Sequence, residues 1–519
     1  MATDSDSGVR EGLSSVTRGT LWLLVGTLCL VGLTFVSRVI LIRGISPDAW
    51  NAFWFGVTLA GLLSAFGTLG LPNAVARSIP YASSDDERRA IVRGSLLIGS
   101  VAALGISSLL WVFAPSIGQA LGQPEIGTGL RYFPIAVGAT IVSTIIASIF
   151  QGYEDVRPNA VFIQVVNPAL FVVFLGLADF APSDGLSYTD ALIAYAVANA
   201  VTLGLLLVYL MTRLPRRLPK GPRAPEAVGR LVRFAAPLFV VGIMASVTGS
   251  GDTIVLGIYH SAEVGTYGAS LTLARLLQIG IGALGYIFLP VAAKFLRQRD
   301  TRSIQLTYTT VTKWMILLSL PLFLLFFFLP SDSLGFVYGS HYTVVIAPLQ
   351  IAVIGAFVTT LLGPSTTAQV AFGQTRLLMY NAVTAAVLDL SLSVALVPVL
   401  GYVGSAIAWA SANAVYMGLS LVQLAVLSRV HPFRRHLVVP LLATALPIGA
   451  LLVVLHPTIS LWVLPVLALA IAGLFVALVL LTRSIDEGDR LLLEAVERIL
   501  GRPLPFVRRM GRYGLRRRT

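Results

Sequence analysis

Between Arg213 and Arg233 the chain carries seven basic residues, Arg213, Arg216, Arg217, Lys220, Arg223, Arg230 and Arg233, against one acid, Glu226. Pro215, Pro219, Pro222 and Pro225 interrupt it. Such a segment cannot lie in hydrocarbon, where each charge is costly and proline breaks the helix on which a bilayer crossing depends. Apolar runs of helix-spanning length flank it, six before and eight after. The stretch reads as a cytoplasmic hinge-linker between two membrane-embedded halves.

The apolar runs dominate the composition. Of 519 residues, 56% are hydrophobic and 12% charged, too few charges to cover a water-facing surface of this size. The net charge of +13 resides in short loops between apolar runs, which is the pattern of membrane topology and excludes a nucleic-acid-binding surface. Cys29 is the only cysteine, so neither a disulfide nor a cysteine metal site is available. Residues 1–19 are polar, and the apolar run 20–42 is too long for a signal-peptide core and lacks a small-residue cleavage pattern after it, so a retained helix is expected.

The periodicity predicts an all-α integral membrane protein of about 14 transmembrane helices: 20–42, 50–71, 91–113, 130–150, 159–177 and 188–211, then 231–259, 264–289, 308–329, 344–370, 377–397, 402–427, 437–455 and 461–481. With the N-terminus in the cytoplasm, Arg77, Arg88, Arg89, Arg93, Arg157, the linker, Lys294, Arg297, Arg376 and Arg434 all fall inside. Glu125, Asp179, Asp184, Asp190, Glu263 and Asp332 fall outside, with Arg43 and Arg131 the only basic residues near that face. An inside excess of arginine in successive loops places both termini in the cytoplasm of a cell membrane. The expected organisation is an N-lobe at 1–211, the linker at 212–230, a C-lobe at 231–427, a helix pair at 428–482 and a basic amphipathic tail at 483–519. In that tail Leu491, Leu492, Val496 and Ile499 share one side, suited to the membrane surface.

The halves resemble each other. Phe150, Asn159-Ala160-Val161 and Asn167 recur as Phe372, Asn381-Ala382-Val383 and Asp389, at an offset of about 222 residues. Ser46-Pro47-Asp48 ahead of Phe53 resembles Ser261-Ala262-Glu263 ahead of Tyr267. Two halves that both start inside make the repeat parallel, with its axis along the membrane normal.

Catalytic constellations are missing. The five histidines lie at helix ends or in loops, away from metal-ligand spacing. No GxxxxGK[ST] loop is present, so the chain does not hydrolyse ATP itself. Four charges instead lie within apolar spans: Arg38, Asp252, Arg275 and Asp389. Each costs about 2.5–3.5 kcal/mol at a helix centre and must face a partner or a watery cavity. Arg38 and Arg275 suit an anionic headgroup, because guanidinium stays charged and forks onto phosphate oxygens; a structural ion pair between Arg38 and Asp252 is the alternative. Asp252 and Asp389 are candidates for cation coupling or for structural pairing. Asp252 follows Thr248-Gly249-Ser250-Gly251, where a weakened helix would free carbonyls toward a cavity. Lys313 and Arg77 read as snorkelling anchors near helix ends.

These residues resemble the polysaccharide-export flippases of the multidrug/oligosaccharidyl-lipid/polysaccharide exporter superfamily. Ile42-Arg43-Gly44-Ile45-Ser46-Pro47-Asp48 is similar to that family's first external turn, and Leu69-Gly70-Leu71-Pro72 with Arg77 to the end of its second helix. The stretch from Gly251 to Gly257 is similar to its seventh helix, and Phe372-Gly373-Gln374 through Asn381, with Gly401-Tyr402-Val403-Gly404-Ser405-Ala406, to its eleventh and twelfth. Asn51 departs from the family, which often has glycine there. The excess of arginine over lysine, 34 to 3, and the Asp/Ser-rich start also resemble haloarchaeal proteins. The resemblance implies two six-helix lobes in a V around a central cavity, a peripheral C-terminal pair, and alternating access. It implies no enzyme activity and no cofactor. Its partners are membrane lipid, a glycan on a polyprenyl or dolichyl phosphate, and H⁺ or Na⁺. A cation-coupled multidrug exporter and, behind it, a membrane glycan polymerase or ligase are the alternatives; the last needs a large external loop that is not present.

Overall fold

A computed structural model of the chain describes residues 2–179, 185–213, 225–343, 345–433, 435–455 and 463–481. Every regular element among them is a helix. In order these are α1 (Ala2–Gly44), α2 (Pro47–Gly67), α3 (Leu71–Ser78), α4 (Asp85–Ala120), α5 (Pro124–Leu130), α6 (Phe133–Gly152), a π-helical segment (Asn159–Val166), α7 (Asn167–Asp179) and α8 (Tyr188–Arg213). There follow α9 (Pro225–Tyr259), α10 (Val264–Leu276), α11 (Ile279–Arg297), α12 (Thr301–Phe328), α13 (Pro330–Tyr338), α14 (Ile346–Leu361), α15 (Ser365–Ala371), α16 (Thr375–Leu400), α17 (Tyr402–Ser428), α18 (Arg435–Leu455) and α19 (Leu464–Leu481).

Twelve helical segments among the described residues are long and apolar enough to cross a membrane. Of the remaining two expected spans, 264–289 is divided into α10 and α11 at Leu277 and Gln278, whose amides donate to carbonyls three residues back, and the last contains the shorter apolar helix Pro465–Val479. This is a multi-pass membrane protein. The tail at 483–519 and linker residues 214–224 lie outside the described residues.

Local chemistry places the helix ends. Ser46 caps α2 by accepting from the amide of Ala49 at 3.3 Å, with Pro47 at the first helical position. Ser84 caps α4 through the amide of Glu87 at 3.2 Å, and the Glu87 carboxylate reaches back to Ser83 N at 2.9 Å. Asp300 caps α12 by accepting from Ser303 N at 3.0 Å, and its bonds to Ser303 hold its carboxyl below the usual range. Between α2 and α3, Gly70 adopts φ +69° and a methyl on it would lie 2.5 Å from Ala235 O of α9. Only glycine serves both demands.

Three departures from the sequence reading concern helix continuity. Through Thr248-Gly249-Ser250-Gly251, α9 runs unbroken, and Gly251 serves to give Asp389 room rather than to free a carbonyl. The fifth span instead carries the irregularity: Pro168 has no amide proton, and just before it the Asn167 amide donates to Phe162 O, five residues back. Lys313 is no helix-end anchor, being 4% exposed in the middle of α12.

The chain divides into two compact units. The first unit comprises Val25–Ala269 and Ala386–Ala408; the second comprises the described residues of Met1–Leu24, Ser270–Ala385 and Trp409–Thr519. Within the first, α9 packs on α2, α3 and α4, although it follows the linker. Glycines of α9 and α10 admit aromatic rings of α2: methyls on Gly257 of α9 and on Gly265 and Gly268 of α10 would collide with Phe55, Trp50 and Trp54. The second unit has a core of Phe288, Ile304, Tyr308, Val311, Met315 and Leu424. There Gln305 exchanges two hydrogen bonds with the His431 backbone, and Asn381 exchanges two with Gln423.

Candidate functional site

In the first unit the two turns matched in the sequence come together. Trp50 Nε1 donates to Gly265 O at 2.7 Å. Asn51 Nδ2 donates to Ala262 O at 2.7 Å, and Gly265 N donates to Asn51 Oδ1 at 2.7 Å. Asn51, the departure from the family's glycine, thus supplies both amide functions to the turn between α9 and α10. Glu263 in that turn accepts from Tyr402 N at 2.8 Å, where Gly401 takes φ +55°. A side chain at 401 would meet the Glu263 carboxylate.

Arg38 on α1 is half-buried, with its guanidinium 4.5 Å from the centre of the Trp54 ring. A cation–π contact of this kind uses the ring face and favours a partly desolvated cation. Trp54 is 4% exposed, and its Nε1 has no hydrogen-bond partner. Nearby in the same unit, Tyr195 packs with Phe53, Phe133 and Phe171 at centroid distances of 5.5–5.9 Å. Arg275 belongs to the second unit, half-buried in the last turn of α10. Three residues on, Gln278 Nε2 donates to Thr359 Oγ1 of α14 at 3.2 Å. The two arginines therefore fall in different compact units.

The two acids fall in the same one. Asp252 of α9 and Asp389 of α16 are both fully buried, and their carboxyl groups interact electrostatically. A methyl on Gly251 would lie 3.1 Å from Asp389 Oδ2, so the Asp389 carboxylate rests against the bare α-carbon before Asp252. Tyr267 OH donates to Asp252 Oδ2, and Ser405 Oγ donates to the Asp252 carbonyl at 3.3 Å. No side chain donates to either oxygen of Asp389, which is faced by the Asp252 backbone amide, and buried Ser393 Oγ one helical turn on has no hydrogen-bond partner among the described residues. A buried acid in that condition is costly in hydrocarbon unless protonated or matched by a cation. The donor set is all oxygen, which suits a hard monovalent ion or a proton. Among the described residues no group of three or more His, Cys, Asp and Glu could hold a metal.

The sequence marked Tyr267 and Ser405 only as motif positions and did not mark Ser393, so none of the three stood out as a neighbour of the acids. Tyr267 carried a signal, since it replaces Phe53 at the matched repeat position, and the added hydroxyl is the one that reaches Asp252. Ser393 carried only its spacing, four residues after Asp389 on one helical face.

Among proteins of known role, the succinoglycan biosynthesis transport protein ExoT of Rhizobium meliloti (strain 1021) is 24% identical over 309 residues, 58% of this chain and 59% of that protein. The chain thus matches about three-fifths of the length of that relative. Among solved structures, a lipid II flippase MurJ in an inward closed conformation superposes with a TM-score of 0.70 at 13% identity, covering 87% of this chain and 97% of that one. An inward-facing multidrug resistance MATE family transporter of the MOP superfamily superposes with a TM-score of 0.63 at 14% identity, covering 79% and 98%. These structures share the fold. The family model described as polysaccharide biosynthesis protein matches residues 16–296, more than half of the chain, and the chain belongs to that family.

Proposed function

We propose that this transporter carries a polyprenyl- or dolichyl-phosphate-linked oligosaccharide from the cytoplasmic to the outer leaflet by alternating access, without being an enzyme. The observation that carries the reading is Arg38, a guanidinium embedded in an apolar helix and seated over Trp54. A phosphate headgroup entering a low-dielectric site needs fixed positive charge to replace its lost hydration, and guanidinium stays charged and can fork onto phosphate oxygens. Arg275 supplies a second cation. Membership of a polysaccharide biosynthesis family and the fold shared with a lipid II flippase support the cargo class. In this reading the loop arginines face the cytoplasm, the linker joins an N-lobe to a C-lobe there, and both termini are cytoplasmic.

The carboxylate pair Asp252 and Asp389 is the proposed cation site, taking H⁺ or Na⁺ as the driving ion. The same pair favours a second reading, cation-coupled multidrug export, which needs no headgroup arginine. One experiment separates them. In cells lacking the gene, lipid-linked glycan should accumulate on the cytoplasmic leaflet; the wild-type chain should clear it, Arg38→Ala and Arg275→Ala should not, and Lys at either position should clear it partly. Absence of accumulation in the deletion strain sinks the flippase reading. Rescue of Arg38→Ala by a second change, Asp252→Ala, would instead make the arginine a structural partner.

A further inference from the structure

Three helix ends meet in the first unit at the end rich in loop arginines: the close of α3, the start of α4 and the start of α9. Arg77 lies over the Phe234 ring at 4.3 Å, Arg230 pairs with Glu87 at 2.5 Å, and a methyl on Gly94 would meet Val228 at 2.8 Å. In this junction Arg89 is only 4% exposed. Its Nη1 lies 3.3 Å from Asp86 Oδ1. Its Nε and Nη2 are buried and have no hydrogen-bond partner.

Buried guanidinium donors are ordinarily satisfied, because stripping them of water without a partner is costly. The local acids are already engaged: Asp85 with Arg88 at 3.0 Å, Asp86 with Arg89 Nη1, and Glu87 with Arg230 and Ser83. No carboxylate of that turn remains for the second edge of Arg89. Nε–H and the outer Nη2 share one edge of the guanidinium plane and point in parallel, the fork that takes two oxygens of one oxyanion. With Arg93 the junction stays net positive: Arg77, Arg88, Arg89, Arg93 and Arg230 outnumber Asp85, Asp86 and Glu87.

We propose that this buried, unpartnered edge of Arg89 binds the phosphate of an anionic phospholipid seated against the junction. Position argues for a lipid over a free ion. Arg89 sits in the second turn of α4, immediately before its apolar run, at the depth where headgroup phosphates lie. Farther along, α4 exposes Leu97, Val101 and Leu104, each more than 60%, an apolar stripe on which acyl chains can lie. The site is independent of the transported cargo, so its failure would leave the flippase reading untouched.

The test uses the full-length protein, delipidated in an uncharged detergent, with short-chain phosphatidylglycerol, short-chain phosphatidylcholine and inorganic phosphate as probes in native mass spectrometry. The wild-type chain should bind phosphatidylglycerol at least about tenfold more tightly than phosphatidylcholine, the size expected of a charge-assisted fork. Arg89→Lys keeps the charge and loses the fork, and should remove most of that preference. Arg88→Gln, which alters an exposed pair, should keep it. Asp86→Asn leaves Arg89 in place and removes a competing anion, so it should tighten the lipid even if the Arg89 variants fail to fold. Equal binding of the two lipids by the wild-type chain overturns the site, as does an Asp86→Asn variant that binds more weakly. Displacement of phosphatidylglycerol by equimolar inorganic phosphate overturns the lipid assignment in favour of a free ion.

Discussion

Two clusters in the first unit occupy matched places in the repeat and have opposite electrostatic fates. In the first-half cluster, Asn167 of α7 donates to Asn199 Oδ1 at 3.2 Å and to Thr202 Oγ1 at 3.3 Å, while Thr140 donates to the same Asn199 oxygen at 3.3 Å. Asn199 and Thr202 close the set onto helical carbonyls at 2.9 and 2.7 Å. Neutral amides can act as donor and acceptor at once, so the network holds three helices together without a charge. At the position matched to Asn167 stands Asp389, an acceptor to which no side chain donates, beside a second acid. One cluster is a closed set of neutral donors and acceptors; the other sets two carboxyl groups side by side. That contrast motivates reading the acids as the cation site, because neutral amides lock helices together whereas two adjacent buried carboxyl groups favour taking up a proton or a cation.

The comparison can be broken most decisively by removing the acids. Asp389→Asn or Asp252→Asn should lower export at least about tenfold while leaving membrane abundance near normal, since an amide relieves the buried charge but cannot hold the ion. Normal glycan export by both single variants and by the double variant would end the coupling assignment.

The converse exchange is Asn167→Asp, which puts a carboxylate into the complete network. It should destabilise the protein by about 2–3 kcal/mol at neutral pH, the cost of lost amide donors and a charge at a half-buried position, read as a lowered thermal midpoint in detergent. A variant as stable as wild type would mean that the two clusters do not differ in the way described.

Tyr267→Phe restores the residue of the matched position 53 and removes one hydrogen bond to Asp252. A loss of about 1.5–3 kcal/mol is expected. An unchanged thermal midpoint would show that the hydroxyl contributes nothing net to the acid pair.

Smallest in stability is Gly251→Ala. Its methyl would lie 3.1 Å from Asp389 Oδ2 and 3.3 Å from Val247 Cγ1, a crowding offset by roughly 1 kcal/mol of better helix propensity. Stability should stay within about 1 kcal/mol of wild type, whereas the cation concentration needed for half-maximal export should rise. An unchanged cation dependence would place the ion elsewhere.

Much of the fold was legible because its signals are local. Twenty apolar residues in a row suffice to mark a crossing, arginine-rich loops mark a face, and a charge inside an apolar run is expensive wherever its helix packs. Arg38, Arg275, Asp252 and Asp389 therefore stood out as residues needing an explanation. Their partners did not. A periodic helix gives the face on which a side chain lies but says little about which other helix meets that face. Nothing in the order of residues says that Asp389 rests against Gly251, or that Phe53 and Tyr267, alike in the repeat, differ by the hydroxyl that reaches Asp252.

The sequence by itself determined a many-spanned helical membrane protein and its costly intramembrane charges, because each follows from the composition and period of a short stretch. Tertiary structure decided which charges are paired and which are left open. It joined Asn51 to the turn around Gly265, set two acids side by side in one unit, assigned Arg38 and Arg275 to different units, and left one edge of Arg89 without a donor's partner. The physical reason is that hydrogen bonding and charge compensation depend on distances of a few ångströms between segments far apart in the chain, and only packing fixes those distances.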